Sequence, residues 1–211
     1  MPLDVAMSIP QENFNWIFRL CFFVFVGGTT GTMSLWLNNQ IDKAQKSAYF
    51  DALTGLPNML ALEELMGEHA KTASADIPKS ISLAILYFSN INEIVNTLGY
   101  TIAKELNQQI ANRLWNNTQT AQSLYRLGPR SFAIVKENID LHDFIKECKE
   151  VTSSLKEPFL LKGIPVSMNM HIGISQQNDF DTDMEAFVQK ASIAANHAMR
   201  LNKLYSTYSK T

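Results

Sequence analysis

The sequence has few cysteines and no basic run, and each absence removes a class of function. Cys21 and Cys148 are the two cysteines among 211 residues, and no CxxC or Cys/His cluster indicates a zinc site. Cys21 lies in an apolar run and Cys148 on the apolar side of a predicted helix. We therefore expect both to be small buried hydrophobes, with the main domain in a reducing compartment. A formal net charge of −2 without a Lys/Arg cluster argues against nucleic acid as a partner.

Carboxylates are missing from two stretches of the chain. No Asp or Glu occurs between Ile81 and Asn92, or between Asn116 and Lys136. The first stretch opens with "ISLAILYF", a predicted buried strand, and the second contains "LYRLGPRSFAIV", a predicted β-hairpin with Gly128 in its turn. Divalent cations such as Mg²⁺ need hard oxygen ligands, and carboxylates are the usual ones. These strands and their turns therefore offer no anionic cage for a metal.

The chain does contain one long apolar run, Ile17 to Leu37, whose single charge is Arg19 near its start. At about 1.5 Å per residue the run spans roughly 31 Å, close to the thickness of a bilayer's hydrocarbon core. Trp16 and Trp36 bracket it, where interfacial aromatic residues are common. We predict a tail over 1–15, a transmembrane helix over 16–37 and a linker helix over 38–50; a buried core helix is the alternative for the apolar run.

Flanking charge predicts the orientation of this span. Lys43 and Lys46 follow it, whereas the short tail before it is acidic. The positive-inside rule then places the C-terminal domain in the cytoplasm. Gly27 and Gly31 form a GxxxG spacing, which permits close backbone contact between transmembrane helices. They are candidate contacts for a membrane protein partner or for a second copy of the chain.

The remainder, residues 51–211, alternates helices with hairpins. This order predicts an α+β domain in which helices cover a mixed central sheet. The predicted elements are a helix over 59–69, a strand over 81–88, helices over 93–98 and 102–115, the hairpin over 124–135, a helix over 141–151, two strands around Gly163, a helix over 184–201 and a last strand in "LYSTYS".

Five segments between Tyr49 and Tyr208 occur in the order of a known domain. "DALTGLPN" matches a D-x-L-T-G-L-P-N motif, "INEIVNTLGY" is similar to "DNFKEINDTLGH", and "YRLGPRSFAIV" is similar to "ARLGGDEFAIL". "NMHIGIS" corresponds to "TVSIGIA" and "KASIAANHAMRLNK" to "RADIAMYHAKRNGR". Together they resemble the GGDEF domain of diguanylate cyclases, which condense two GTP molecules into cyclic di-GMP. The resemblance implies a palm-like, ferredoxin-type α+β fold with a central, mostly antiparallel sheet and an active site at the hairpin turn.

The resemblance also implies that the metal-binding positions are degenerate. The family's Asp at the end of the first strand corresponds to Tyr87, and its Asp two residues later to Ser89. The Asp-Glu pair of the signature corresponds to Arg130 and Ser131, and the second signature Gly to Pro129. Phosphoryl transfer depends on metal-bound carboxylates, and proline has no N–H for a phosphate oxygen. We therefore expect no catalytic group at these five positions.

The nucleotide-binding positions differ in the same way. The family's guanine-reading Asn and Asp correspond to Val95 and Lys104, and its two phosphate-binding lysines to Asn92 and Met199. The Arg-x-x-Asp site for inhibitory product corresponds to "QTAQ" at 119–122. The resemblance therefore implies no metal and no cofactor.

These observations predict a pseudoenzyme in the bacterial inner membrane whose GGDEF-like domain is a protein-interaction or scaffold module. Motility, pilus, polysaccharide or cyclic di-GMP signalling machinery is the expected setting. Expected partners are the membrane and a membrane protein or a second copy. Beside the hairpin turn, Arg126 and Arg130 are further interaction candidates, expected at a solvated tip. A non-catalytic GTP or cyclic di-GMP sensor stays open as an alternative, followed by a cyclase with residual activity.

Overall fold

The computed structural model describes residues 13–72, 80–117, 124–177 and 184–208. Most of the predicted tail, residues 1–12, lies outside the described residues. The chain divides into two compact units, residues 1–46 and 47–211. The two units differ in kind: the described part of the first is one apolar helix, and the second has a buried core.

The first unit consists of most of helix α1, Asn13–Tyr49. Between Ile17 and Tyr49 this helix is long and apolar enough to cross a membrane, and an 18-residue stretch of it has a mean hydropathy of 1.5. Thr29 and Thr32 donate their hydroxyls to carbonyl oxygens of the same helix, so neither depends on water for a partner. The expectation that Cys21 is buried is wrong, because the described side chains leave this part of the helix uncovered.

The second unit is an α+β domain, which confirms the predicted fold class. Its described helices are α2 Met59–Thr72, α3 Ile91–Leu98, α4 Tyr100–Asn117, α5 Leu141–Ser153 and α6 Met184–Arg200, with a short 3-10 helix at Ser154–Lys156. Its described strands are β1 Ile81–Phe88, β2 Leu124–Gly128, β3 Ser131–Glu137, β4 Phe159–Leu161, β5 Ile164–Val166, β6 Met170–Gln177 and β7 Tyr205–Thr207.

The main sheet has the strand order β2-β3-β1-β6-β7, and its pairs are antiparallel except for β6 with β7. Strand β1 is apolar apart from Ser82 because both of its faces are covered. Alternate residues enter two separate cores: Ile81, Leu83 and Ile85 join the core under α2 and α6. Ala84 and Leu86 belong to the other core, which also contains buried residues of α3, α4 and α5. A strand that is buried on both faces shows no alternation of polar and apolar residues. The mostly apolar sequence "ISLAILYF" therefore predicted a buried strand.

The chain around Gly163 forms three strands, whereas two were predicted. Strands β4 and β5 pair only with each other as a separate two-stranded ribbon, and β6 begins at Met170 in the main sheet. Gly163 has φ +84° and Lys162 has φ +48°, so the tight turn between β4 and β5 uses left-handed backbone. Sequence periodicity missed the break between β5 and β6, because the connection at 167–169 is too short to interrupt the pattern.

Gly173 fixes how closely α6 approaches the sheet. It lies in the middle of β6, opposite Ile85 of β1. A Cβ atom built at this position would overlap the backbone carbonyl oxygen of Ala191 and the backbone nitrogen of Ala195. Ala191 and Ala195 are buried, so α6 uses small residues to lie directly on the strand. The contact is between two backbones, and no rotamer change can relieve it.

We expect Gly173→Ala to destabilise the domain by about 3 kcal/mol or more, since the strand or the helix must move to admit one methyl group. The measurement is thermal and urea unfolding of the full chain in maltoside detergent, followed by circular dichroism. Gly67→Ala is the matched control, because Gly67 is exposed on α2 and has open space around its Cα. That control should be neutral or should stabilise by about 0.5–1 kcal/mol. Equal stability of the two variants would contradict the close-packing argument.

Candidate functional site

The "DALTGLPN" loop is a compact turn held by its own polar groups. The Asp51 carboxylate accepts hydrogen bonds from the backbone N–H of Thr54 at 2.8 Å and from the Thr54 hydroxyl at 2.6 Å. The Asp51 N–H donates to the carbonyl of Leu56, and the N–H of Gly55 donates to the carbonyl of Asp51. Gly55 has φ +71°, which a residue with a side chain rarely adopts. The motif is therefore explained by backbone geometry without reference to a ligand.

Asn58, the last residue of the motif, joins the loop to both neighbouring helices. Its side-chain carbonyl accepts from the N–H of Ala61 at 3.2 Å and so caps the first turn of α2. Its side-chain amide donates to the carbonyl of Ala48 at 2.7 Å, and its backbone N–H donates to the carbonyl of Tyr49. One residue thus ties the start of α2 to the end of α1 within the second unit.

Arg126 ties the same loop to the hairpin, and its side chain is buried with 5% of its surface exposed. Its backbone N–H donates to the carbonyl of Pro57 at 2.7 Å, and its Nη2 donates to the carbonyl of Pro129 at 2.9 Å. The guanidinium carbon lies 4.4 Å from the centre of the Phe132 ring. Nη1 is buried and has no partner among the described residues. Burial lowers the pKa of the Arg126 guanidinium, and the Asp51 carboxylate acts in the opposite direction.

The expectation of a solvated Arg126 is therefore wrong. The loop at 51–58 lies beside this strand, with Asn58 and Arg126 in a parallel bridge and the Arg126 N–H bonded to the carbonyl of Pro57. A buried arginine needs partners for its charge, and the carbonyl of Pro129, the Phe132 ring and the field of Asp51 provide them. Arg126 is a structural link between two segments of the domain.

The hairpin turn itself consists of Pro129 and Arg130. Gly128 pairs with Ser131 as the last residue of β2, so the expectation that Gly128 forms the turn is wrong by one position. Proline fixes φ near −65°, which suits the first central residue of a turn and excludes the left-handed turns common in two-residue hairpins. A β-bulge between Arg126 and Gly128 provides the extra residue that this arrangement needs.

The fold brings three of the degenerate positions together at this turn. Tyr87 lies directly opposite Ser131 in the β1–β3 pair, and the N–H of Phe88 donates to the carbonyl of Arg130 at 2.9 Å. The guanidinium carbon of Arg130 lies 5.3 Å from the centre of the Tyr87 ring. Tyr87, Arg130 and Ser131 are all half-buried. A cation stacked on a phenol thus stands at the positions that correspond to carboxylates in the family.

Ser89 has a structural partner. Its N–H and its hydroxyl both reach the carbonyl of Asn169, at 2.9 and 3.3 Å. Beside it, the side-chain amide of Asn90 donates to the carbonyl of Ser167, and its oxygen accepts from the N–H of Asn169. These bonds hold the connection between β5 and β6 against the end of β1. The polar groups that follow β1 are therefore used by the fold.

The remaining predicted positions have separate environments. Asn92 is exposed on α3, whereas Val95 packs against the larger core. Lys104 is exposed on α4, with its ammonium 5.8 Å from the centre of the Tyr100 ring. Met199 is half-buried on α6, and its carbonyl accepts from the N–H of Asn202. The "QTAQ" segment at 119–122 lies outside the described residues.

The described part of the chain contains no group of three or more His, Cys, Asp and Glu side chains placed to hold a metal ion. Cys148 is buried, and desolvation raises the pKa of its thiol to about 12, so it stays protonated at neutral pH. With Arg130 at the turn, the local field favours an anion over a dication.

The chain matches the GGDEF domain of diguanylate cyclases over residues 48–203. It belongs to the GGDEF domain family. The diguanylate cyclase DgcN of Escherichia coli is 28% identical over 156 residues, which are 73% of this chain and 36% of DgcN. The chain spans between 15% and 36% of the length of the curated relatives that it matches. What such a relative does as a whole protein therefore involves segments beyond the GGDEF domain.

Solved structures show the same fold. The coiled coil and GGDEF domain of DgcB from Caulobacter crescentus, in complex with cyclic di-GMP, has a TM-score of 0.75 at 13% identity, covering 88% of this chain and 98% of that one. The diguanylate cyclase SiaD from Pseudomonas aeruginosa, in complex with its activator SiaC, has a TM-score of 0.68 at 18% identity, covering 90% and 73%. At these identities the likeness shows the fold alone.

Sequence reasoning missed the role of Arg126, although the matched segments contained a signal for it. In "YRLGPRSFAIV" against "ARLGGDEFAIL", the arginine is retained while both carboxylates of the GGDEF signature are replaced. An arginine that matches while both signature carboxylates differ is a candidate for a structural role. Burial confirms that role here.

We expect Arg126→Ala to lower the free energy of unfolding by about 2–4 kcal/mol, because it removes a buried hydrogen bond and a ring contact and leaves a cavity. Arg130→Ala is the matched control on the same GGDEF hairpin and should cost no more than about 0.5 kcal/mol. Urea unfolding of the full chain in detergent measures both. A similar loss from the two variants would show that Arg126 has no special structural role.

Proposed function

We propose that this protein is a membrane-anchored GGDEF domain without catalytic activity, serving as a protein-interaction or scaffold module in the bacterial inner membrane. The proposal follows most directly from one contact, the Arg130 guanidinium stacked on the Tyr87 ring at the hairpin turn. Both residues occupy positions that correspond to metal-binding carboxylates in the family. A positive charge in that place opposes the binding of Mg²⁺ with GTP.

Simple electrostatics gives the size of this effect. A unit charge about 5 Å from a dication costs about 2 kcal/mol in water and about 7 kcal/mol at an effective dielectric constant of 20. Arg130 is half-buried, so solvent screening brings the cost toward the lower value. The missing carboxylates add a second loss, since no anionic oxygen compensates the dehydration of the ion. Such a site does not provide the metal ligands that two-metal phosphoryl transfer requires.

Helix α1 supports the membrane anchor. It is long and apolar enough to cross a bilayer, and Phe22, Phe23 and Phe25 are all exposed on it. Exposed phenylalanines in such density are costly in water and favourable in lipid. Lys43 and Lys46 follow the apolar part, and by the positive-inside rule we propose that the GGDEF domain lies on the cytoplasmic side.

The relatives of this chain are consistent with a role in protein interaction. They include cyclic di-GMP cyclases and phosphodiesterases, and the SiaD structure holds a protein activator. A domain that keeps the GGDEF fold without its chemistry can still present the surfaces of that fold to a partner. Cyclic di-GMP signalling or a membrane machine for motility, pili or polysaccharide is the setting we propose.

We expect the full chain, purified in maltoside detergent, to form no cyclic di-GMP from GTP with either Mg²⁺ or Mn²⁺. Calorimetric titration with GTP and with cyclic di-GMP should show no binding in the micromolar range, because the guanine and phosphate contacts are replaced. An active diguanylate cyclase in the same detergent is the control for the assay. Product formation would contradict the proposal. Micromolar binding without turnover would instead establish the nucleotide sensor as the function.

We expect Gly27→Leu/Gly31→Leu to reduce association within the membrane, because leucine side chains prevent close approach of a second helix. The measurement is co-purification of two differently tagged copies, and of other membrane proteins, from solubilised membranes. Thr29→Leu is the matched control, since at about 100° per residue it lies on the opposite side of the helix. Unchanged recovery with the double variant would exclude this face of α1 from the interaction.

A further inference from the structure

Strand β7 forms one edge of the main sheet. It pairs with β6 on one side, and among the described strands none pairs with its other side. The opposite edge strand, β2, has a neighbour, because the Arg126 N–H donates to the carbonyl of Pro57 in the loop at 51–58. An open edge presents unpaired backbone groups to which another chain can add a strand. The outer side of β7 is therefore a candidate interaction surface of the second unit.

The register of β7 determines which backbone groups point outward. The carbonyl of Leu204 accepts a hydrogen bond from β6, and the N–H of Tyr208 donates one to β6. Alternate residues of a strand bond to the same neighbour, so Ser206 also faces β6. Tyr205 and Thr207 therefore direct their N–H and C=O groups away from the sheet. Within the described residues these outward groups have no hydrogen-bond partner.

A groove of about 590 Å³ lies along this edge. Tyr205 and Ser206 both line it, although successive residues of a strand point to opposite faces of a sheet. On one face the Lys149 ammonium of α5 lies 4.4 Å from the centre of the Tyr205 ring. On the other face Nδ1 of His197 in α6 lies 3.1 Å from the Ser206 hydroxyl oxygen. The groove thus lies between the helices of the two faces, where a sixth strand of the sheet would lie.

The basic side chains of the groove give it one sign of charge. Lys149, His197 and Lys203 line it, and none of the described residues in its walls is Asp or Glu. All three basic residues are exposed. Within the described residues the Lys203 ammonium has no hydrogen bond or ion pair. Carboxylates are the side chains that complement such a groove.

We propose that the edge of β7 binds an extended acidic segment of a partner protein, which joins the main sheet as a sixth strand. The backbone of that segment bonds to the outward groups of Tyr205 and Thr207, and its carboxylates lie beside Lys149 and Lys203. A second copy of this chain does not suit the edge, because two β7 edges bring the same lysines together. The inference rests on the interaction role proposed above and names one surface and one class of partner for it.

The probe is a capped, fluorophore-labelled hexapeptide of alternating glutamate and valine. Its counterpart is the same peptide with lysine in place of glutamate. Fluorescence anisotropy with the full chain in maltoside detergent measures the affinity of each, and empty micelles give the background. We expect the acidic peptide to bind about tenfold or more tightly than the basic one. Equal affinities, or no saturable binding of the acidic peptide, would overturn the proposal.

Thr207→Pro tests the strand pairing. Proline removes the outward N–H of Thr207 and leaves the bonds between β7 and β6 in place, because an edge strand tolerates proline where its N–H faces solvent. We expect this variant to bind the acidic peptide about tenfold more weakly. Thr207→Val is the matched control, since it keeps the N–H and should bind as the wild type does. If both variants are folded and bind the peptide equally, no ladder forms at this edge and the proposal is wrong.

Lys149→Gln/Lys203→Gln tests the charge of the groove and leaves the backbone of β7 intact. We expect about tenfold weaker binding of the acidic peptide, with a smaller difference from wild type at high salt. Lys104→Gln/Lys146→Gln is the matched control, because it removes the same charge from exposed positions that do not line the groove. Equal affinities of the two double variants would contradict the inference. Formation of cyclic di-GMP from GTP, by contrast, would contradict the proposed function and leave the peptide measurements unaffected.

Discussion

The buried guanidinium of Arg126 is the contact on which the arrangement of this domain depends. Its Nη2 donates to the carbonyl of Pro129 at the hairpin turn, while the backbone N–H of the same residue donates to the carbonyl of Pro57 in the loop at 51–58. The loop in turn holds α2 and the end of α1 through Asn58. A charge inside a protein is tolerated only with such partners, so the loop, the strand and the turn must form together. The placement of the hairpin turn thus follows from contacts within the fold.

Several residues of this GGDEF domain are explained by backbone geometry and packing. The retained features are those that the backbone needs: Gly55 at positive φ, Asp51 with its two hydrogen bonds to Thr54, and Gly173 beneath α6. Among the positions predicted to be degenerate, Tyr87, Arg130 and Ser131 are half-buried at the hairpin, whereas Val95 packs against the larger core. Tyr87 and Arg130 even form a contact of their own. The described contacts thus assign structural roles to Asp51, Gly55 and Gly173.

The amino-acid sequence was sufficient to predict those elements that depend on local patterns. The unbroken apolar run of β1 predicted a strand covered on both faces, and the turn residues of "DALTGLPN" predicted the start of the domain. Local patterns could not predict the burial of Arg126, because the loop that forms a bridge with it lies about 70 positions earlier in the chain. They could not separate β5 from β6 either, since the difference lies in which strand each pairs with. The groove at the edge of β7 has walls from α5, α6 and β7, and no single segment contains its pattern.

Strand β2 connects the two cores of the domain. Successive residues of a strand point to opposite faces of the sheet, and Tyr125 and Arg126 are such a pair. Tyr125 belongs to the core under α2. Arg126 stacks on Phe132, which belongs to the other core, and holds the turn. The core under α2 and the hairpin turn are therefore supported by adjacent residues of one short strand.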